Sequence, residues 1–165
     1  ITTEAFHRFQ KDKSLLFLKD ELVQAMALIE SSTGRSFGSP DNPLLVSVRS
    51  GAPVSMPGMM DTILNLGLND ETVEALATSS GNSRFAWDCY RRFIQMYGDV
   101  VMGVQKLPGE EHDPFEHIID SYKEELFPKE KGEIDDNRLN VSHVKELVSR
   151  FKALVKTSFI FLNLE

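Results

Sequence analysis

Cysteine and tryptophan are nearly absent, with one of each, Cys89 and Trp87, in 165 residues. A single thiol can close no internal disulfide and build no cysteine-based zinc site, which fits a reducing compartment. No apolar run reaches the roughly 18 residues of a membrane span. Basic residues are outnumbered, 18 Lys and Arg against 25 Asp and Glu, for a net charge of −7. That balance argues against a binder of nucleic-acid backbones, which concentrates basic side chains on one face. Glycine and proline, 10 and 7, are too few for a collagen-like or low-complexity chain. With 41% hydrophobic residues the chain can build the core of one domain or two small subdomains. It opens on Ile1 without a basic-then-apolar leader, and a piece of a longer polypeptide is the expectation.

The acidic charge is concentrated. Between Gly109 and Asp136 eleven carboxylates face three lysines, so this stretch alone carries −8. A solvated surface is the plain reading. A cation loop is the competitor, but the alternating acids and central glycine of an EF-hand are missing. His112 and His117 stand five apart, off the spacing that places two ligands on one helical face.

Most of the remainder reads as helix. Leu15, Leu18, Leu22, Ala25 and Ile29 form one stripe that ends before Gly34. Asp70 is a candidate cap for a short helix through Thr78, and Ser80, Asn82 or Ser83 for one running to about Gly98. In the latter, Phe85, Cys89, Phe93, Met96 and Tyr97 share a face, which makes Cys89 an inert buried thiol and Trp87 core. A helix spans about Pro114 to Leu126. Ser142 can open a last one, with Val144, Leu147, Val148, Phe151, Leu154 and Val155 as its stripe.

Between turn chemistry at 38–43 and a loop at 49–60 lies Leu44-Leu45-Val46-Ser47-Val48, read as a buried strand. A buried strand needs partners for its amides, and none is apparent, so its sheet is expected to be incomplete. The strand runs into Arg49-Ser50-Gly51-Ala52. An arginine fork beside small residues can hold a phosphate, although a surface arginine next to a turn is an equally ordinary reading.

The run Leu-Leu-Val-Ser-Val-Arg-Ser-Gly-Ala-Pro-Val-Ser-Met-Pro-Gly-Met-Met-Asp-Thr-Ile-Leu-Asn-Leu-Gly-Leu-Asn-Asp, residues 44–70, closely resembles the pyruvate, phosphate dikinases. The likeness continues in Arg-Phe-Ala-Trp-Asp-Cys-Tyr-Arg-Arg-Phe-Ile-Gln-Met-Tyr-Gly, residues 84–98, and covers about residues 40–102. The related phosphoenolpyruvate synthases share the Val-Arg-Ser core but not the Ser-Met-Pro-Gly-Met-Met continuation of residues 55–60.

This resemblance implies an internal part of an ATP-grasp nucleotide-binding domain. Its parent interconverts ATP, phosphate and pyruvate with AMP, pyrophosphate and phosphoenolpyruvate through a phosphohistidine carried elsewhere. The fold expected is mostly α, a helical subdomain plus part of an α/β domain with an incomplete sheet. Residues 1–67 would belong to the nucleotide-binding subdomain, 68–156 to the helical one and 157–165 to a tail. The likeness assigns nucleotide contacts to Arg49 and Arg92, and places Met60, Asp61 and Thr62 in a loop approaching the nucleotide. Met56, Met59 and Met60 could line an adenine slot or simply pack beneath a loop.

The family's Gly-Gly-Lys-Gly segment does not occur in this sequence, none of the four histidines has the phosphohistidine setting, and Pro53 stands where many bacterial relatives carry Arg. The implied cofactor is Mg2+, with its ligands outside this chain, and the piece alone is expected to be inactive. The implied partners are ATP and the remaining domains of a homodimeric parent, with no nucleic acid and no membrane, in a cytoplasmic or organellar location. The alternative is a non-catalytic helical module that docks another domain through its acidic block and aromatic tail.

Overall fold

The computed structural model describes residues 2–50, 61–104, 113–130, 132 and 134–162, with side chains to Ser158. Six α-helices and one two-stranded antiparallel sheet occur among them: α1 Thr3–Asp12, α2 Lys19–Thr33, β1 Val46–Arg49, β2 Thr62–Leu66, α3 Thr72–Ser80, α4 Ser83–Val100, α5 Pro114–Leu126 and α6 Val141–Leu162. The fold is mostly α with a rudimentary sheet, as the resemblance implies. Helix α6 runs to Leu162, into the residues set apart as a tail.

The core lies where α3, α4, α5 and α6 meet. Trp87, Tyr90 and Ile94 from α4 pack with Phe115 and Tyr122 from α5, and with Val144, Leu147, Val148 and Phe151 from α6. Phe115 and Phe151 meet edge to face at 4.8 Å, the arrangement ring quadrupoles favour. Two lysines of α6 tie it to the helices beneath. Lys145 pairs with Glu74 at 3.1 Å and covers the Trp87 ring at 4.5 Å, while Lys152 pairs with Asp70 and covers Tyr90 at 5.2 Å. A cation over an aromatic face gains from the ring's negative quadrupole while its methylenes cover apolar surface.

Several helix starts differ from expectation by a residue or two. Asn69, not Asp70, supplies the side-chain acceptor at the turn into α3, its Oδ1 accepting from the amides of Glu71 and Thr72, while Glu71 directly precedes the helix. Asn140, not Ser142, begins α6 by accepting from the His143 amide at 3.1 Å. Asn82 caps α4, and Asp113 caps α5 immediately before Pro114 at its first position. The buried face of α4 is also rotated: Trp87, Tyr90, Arg91, Ile94 and Gly98 are inside, whereas Phe85 is 50% exposed. Trp87 is core as expected, and Cys89 is half-buried.

The stripe read in the first helix is divided between a 3-10 turn at Leu16–Leu18 and α2, and α1 precedes both as an additional helix. Helix α2 ends on Gly34 in the left-handed conformation, as anticipated, but none of its residues is buried.

The strand reading needs a larger correction. The strand begins at Val46, and Ser47, Val48 and Arg49 are exposed; the buried apolar residue is Leu44, just before it. A two-stranded ribbon has too few neighbours to cover both faces. Its partner is within the chain. Residues 62–66 pair with it in the register Val46 to Leu66, Val48 to Ile63 and Arg49 to Thr62. One extra residue on β2 makes a bulge, where Asn65 takes φ 58°. Gly67 follows at φ 117°, and a Cβ there would lie 2.7 Å from the Leu44 carbonyl oxygen. Only glycine permits that approach.

Candidate functional site

The ribbon places its most polar end where the sequence puts the candidate site. Arg49 and Thr62 form its last register pair. One residue beyond, the Ser50 amide donates to the Asp61 carbonyl at 2.9 Å, and the Asp61 amide donates to Ser50 Oγ at 2.8 Å. Arg49, Asp61 and Thr62 are therefore neighbours across two strands that bracket residues 51–60. Thr62 belongs to β2 rather than to a loop, and Asp61 directly precedes it. Met60, with Met56 and Met59, lies outside the described residues.

Arg49 is exposed at this end, on backbone fixed by the ribbon's hydrogen bonds. A guanidinium so held can meet an oxyanion with a two-pronged, charge-assisted contact at little ordering cost to the backbone. The adjoining Ser50 hydroxyl is engaged by the Asp61 amide, which ties the two strands together immediately beside the arginine.

Arg92 stands on α4, against which β2 packs. Its Nε lies 2.9 Å from Asp88 Oδ2, and its side chain is 65% exposed. The adjacent Arg91 is the inward arginine, with Nε and Nη2 at 2.9 and 2.8 Å from Asp88 Oδ1. Asp88 thus carries two guanidiniums, a cluster of net charge +1. Consecutive residues leave a helix roughly 100° apart, so only one of the two arginines can turn inward; the sequence did not show that Arg91 does, and it did not point to Asp88. The i, i+3 and i, i+4 spacing of Asp88 to Arg91 and Arg92 was the available signal. Burial raises the Cys89 thiol pKa, the Asp88 charge adds to this and Arg92 opposes it, so the thiol stays protonated at neutral pH.

Three of the eight carboxylates described in the acidic stretch are ion-paired. Lys123, nearly buried, holds Asp136 at 2.6 Å, and Arg138 pairs with Glu130. Arg150 takes both oxygens of Glu125 at 2.8 and 2.9 Å while contacting Glu146 at 3.0 Å. Its hydrogen bonds hold the Glu125 carboxyl below the usual range. Among the described residues no group of three or more His, Cys, Asp and Glu could hold a metal ion. The described residues therefore present no three-ligand set for Mg2+. An apolar groove of about 350 Å³ between α4 and α6, lined by Tyr90, Phe93, Tyr97 and Val155, includes neither Arg49 nor Arg92. No helix among the described residues is long and apolar enough to cross a membrane.

An exposed arginine at the end of a strand ribbon that packs on α4 is suited to an anionic ligand. No family profile matches the chain. It is, however, 49% identical over 158 residues to a pyruvate, phosphate dikinase of Clostridium symbiosum, 94% of this chain and 17% of that protein. The Giardia intestinalis enzyme of the same name is 46% identical over 93% of this chain, and a chloroplastic one from Arabidopsis thaliana 45% over 93%. The chain is a segment of the pyruvate, phosphate dikinase family. It spans about a sixth of the length of the relatives it matches.

Proposed function

We propose that this segment supplies phosphate contacts of the nucleotide-binding, ATP-grasp part of a pyruvate, phosphate dikinase. The observation that carries the reading is the ribbon end, where Arg49 is opposite Thr62 and the Ser50–Asp61 hydrogen bonds fix the strands beside it. In the parent enzyme Arg49 stabilises charge on the transferring phosphates, and Arg92 contributes a second positive edge from α4. Phosphoryl transfer depends mainly on positioning and electrostatic stabilisation, so such arginines act without covalent chemistry of their own. The phosphohistidine and the carboxylates that hold Mg2+ belong to other parts of the polypeptide. Met60 and Asp61 approach the nucleotide, residues 1–67 serve the nucleotide subdomain and 68–156 the helical one. The parent acts as a homodimer on ATP, phosphate and pyruvate.

A cytoplasmic setting agrees with the lone, half-buried Cys89; the plant relatives' names place those proteins in chloroplasts. No observation favours a free-standing helical interaction module. Calorimetric titration with ATP, comparing this chain with the full-length polypeptide, tests the reading. Saturable binding is expected in the longer protein, lost or at least tenfold weaker when Arg49 is replaced by Ala. Unchanged binding by that variant would overturn it.

A further inference from the structure

The Asp88 cluster has a direction, running from the core to the surface. Arg91 has 8% of its side chain exposed, Asp88 21% and Arg92 65%. Arg91 gives two nitrogens, Nε and Nη2, to the same oxygen, Oδ1, at 2.9 and 2.8 Å. That leaves Oδ2 for Arg92, whose Nε lies 2.9 Å from it. Among the described residues the terminal nitrogens of Arg92, Nη1 and Nη2, have no other acceptor.

The asymmetry has a chemical consequence. A surface aspartate four residues from an arginine normally competes with any incoming anion, and both side chains sample many rotamers. Here the buried guanidinium holds the carboxylate in one rotamer and shares its charge. Asp88 therefore fixes the Nε edge of Arg92 without neutralising it, and the Nη1–Nη2 edge stays open to a two-pronged contact with phosphate oxygens. The freedom Arg92 would lose on meeting an anion is already restricted.

We infer that Arg91 is a positioning residue for the nucleotide: through Asp88 it holds Arg92 in the orientation that receives phosphate. This rests on the proposed role of Arg92, and the test separates the two. In the full-length enzyme, the ATP-side and pyruvate-side partial reactions are measured for Arg92→Ala, Arg91→Met, Arg91→Lys and the double variant Arg91→Met/Arg92→Ala.

Arg91→Met should raise the KM for ATP by about 5–20-fold, within the range of coupling between contacting residues, and leave the pyruvate side unchanged. Arg91→Lys, which keeps the charge but offers one nitrogen, should fall between it and the unaltered enzyme. In the Arg92→Ala background the same Arg91→Met change should cost less than about twofold, because the group it positions is gone. An equal cost in both backgrounds, or equal loss from both partial reactions, would make Arg91 merely structural and overturn the inference. A costly Arg92→Ala with a silent Arg91→Met would overturn it while leaving the role of Arg92 intact. A silent Arg92→Ala would remove both. If Arg91→Met does not fold, Arg91→Lys in the two backgrounds decides by the same comparison.

Discussion

Arg49 and Thr62 face each other as the last register pair of the ribbon, thirteen positions apart in sequence and adjacent in space. The residues between them begin and end at Ser50 and Asp61, which are joined by one backbone hydrogen bond and one from the Asp61 amide to Ser50 Oγ. The arginine is presented from a two-strand anchor, so its charge can be altered with limited effect on the helical core. It is therefore the most informative position for mutation.

Arg49→Ala in the full-length enzyme should lower the ATP-side partial reaction by about 10–100-fold, the cost of about 1.5–3 kcal/mol for a lost charge-assisted contact. The pyruvate side should change less than twofold. Arg49→Lys should recover only part of the loss, because an ammonium cannot reproduce the planar fork. Equal loss in both partial reactions would show that the substitution damaged the fold instead.

Gly98→Ala should destabilise the protein although alanine favours helix. A Cβ at this position in α4 would lie 2.5 Å from Phe115 Cζ and 3.1 Å from Val155 Cγ2. Phe115 is fully buried and packed edge to face on Phe151. Overpacking of about 1–3 kcal/mol should outweigh a propensity gain of about 1 kcal/mol. Denaturant titration should show a lower midpoint, and an unchanged or higher midpoint would mean that Phe115 can move.

Asp99 should make stability fall as pH rises through the weakly acidic range. Asp99 is exposed near the end of α4, but partial desolvation of its carboxyl, with the Asp113 and Glu116 charges, pushes it from 3.8 up to about 6. A group whose pKa is higher in the folded state stabilises the fold below its unfolded value, and that contribution is lost as pH passes the folded one. The window is therefore about pH 4 to 6. Glu125, Glu130 and Asp135, whose carboxyls are held low by hydrogen bonds, have the opposite sign and weaken the fold as acid protonates them. Subtracting the Asp99→Asn profile from that of the unaltered protein isolates the contribution of the Asp99 carboxyl. Melting temperatures that differ equally at pH 4.5 and 7 would contradict the assignment.

Hydrogen exchange should grade the chain by burial. Amides from Trp87 to Ile94 should exchange slowest, since α4 is packed on α3, β2 and α6. The ribbon amides paired between Val46–Arg49 and Thr62–Leu66 should be intermediate, held by hydrogen bonds but exposed on one strand. Helices α1 and α2, with no buried residue, should exchange fastest. Slow exchange across α2 in the isolated chain would mean that its apolar side is covered.

The sequence by itself determined the features that depend on nearest neighbours. Helix α5 occupies Pro114–Leu126 as its pattern indicated, and Val144, Leu147, Val148 and Phe151 are buried along α6. These stripes repeat every three or four residues, and a helix turns that spacing into one face. Long motifs singled out Arg49 and Arg92 as candidate nucleotide contacts. Caps were less so, because Asn69 and Asp70, or Asn140 and Ser142, are chemically interchangeable donors' partners until the backbone chooses one.

Only the tertiary structure decided the pairing of Val46–Arg49 with Thr62–Leu66, the inward placement of Arg91 and the exposure of α2. Strand pairing joins residues distant in sequence, and the extra residue at Asn65 breaks the alternation by which β2 would be recognised. Arg91 and Arg92 have the same side chain and differ only in which side of α4 they leave. The hydrophobic stripe records which residues can be buried; whether another part of the molecule covers them depends on packing.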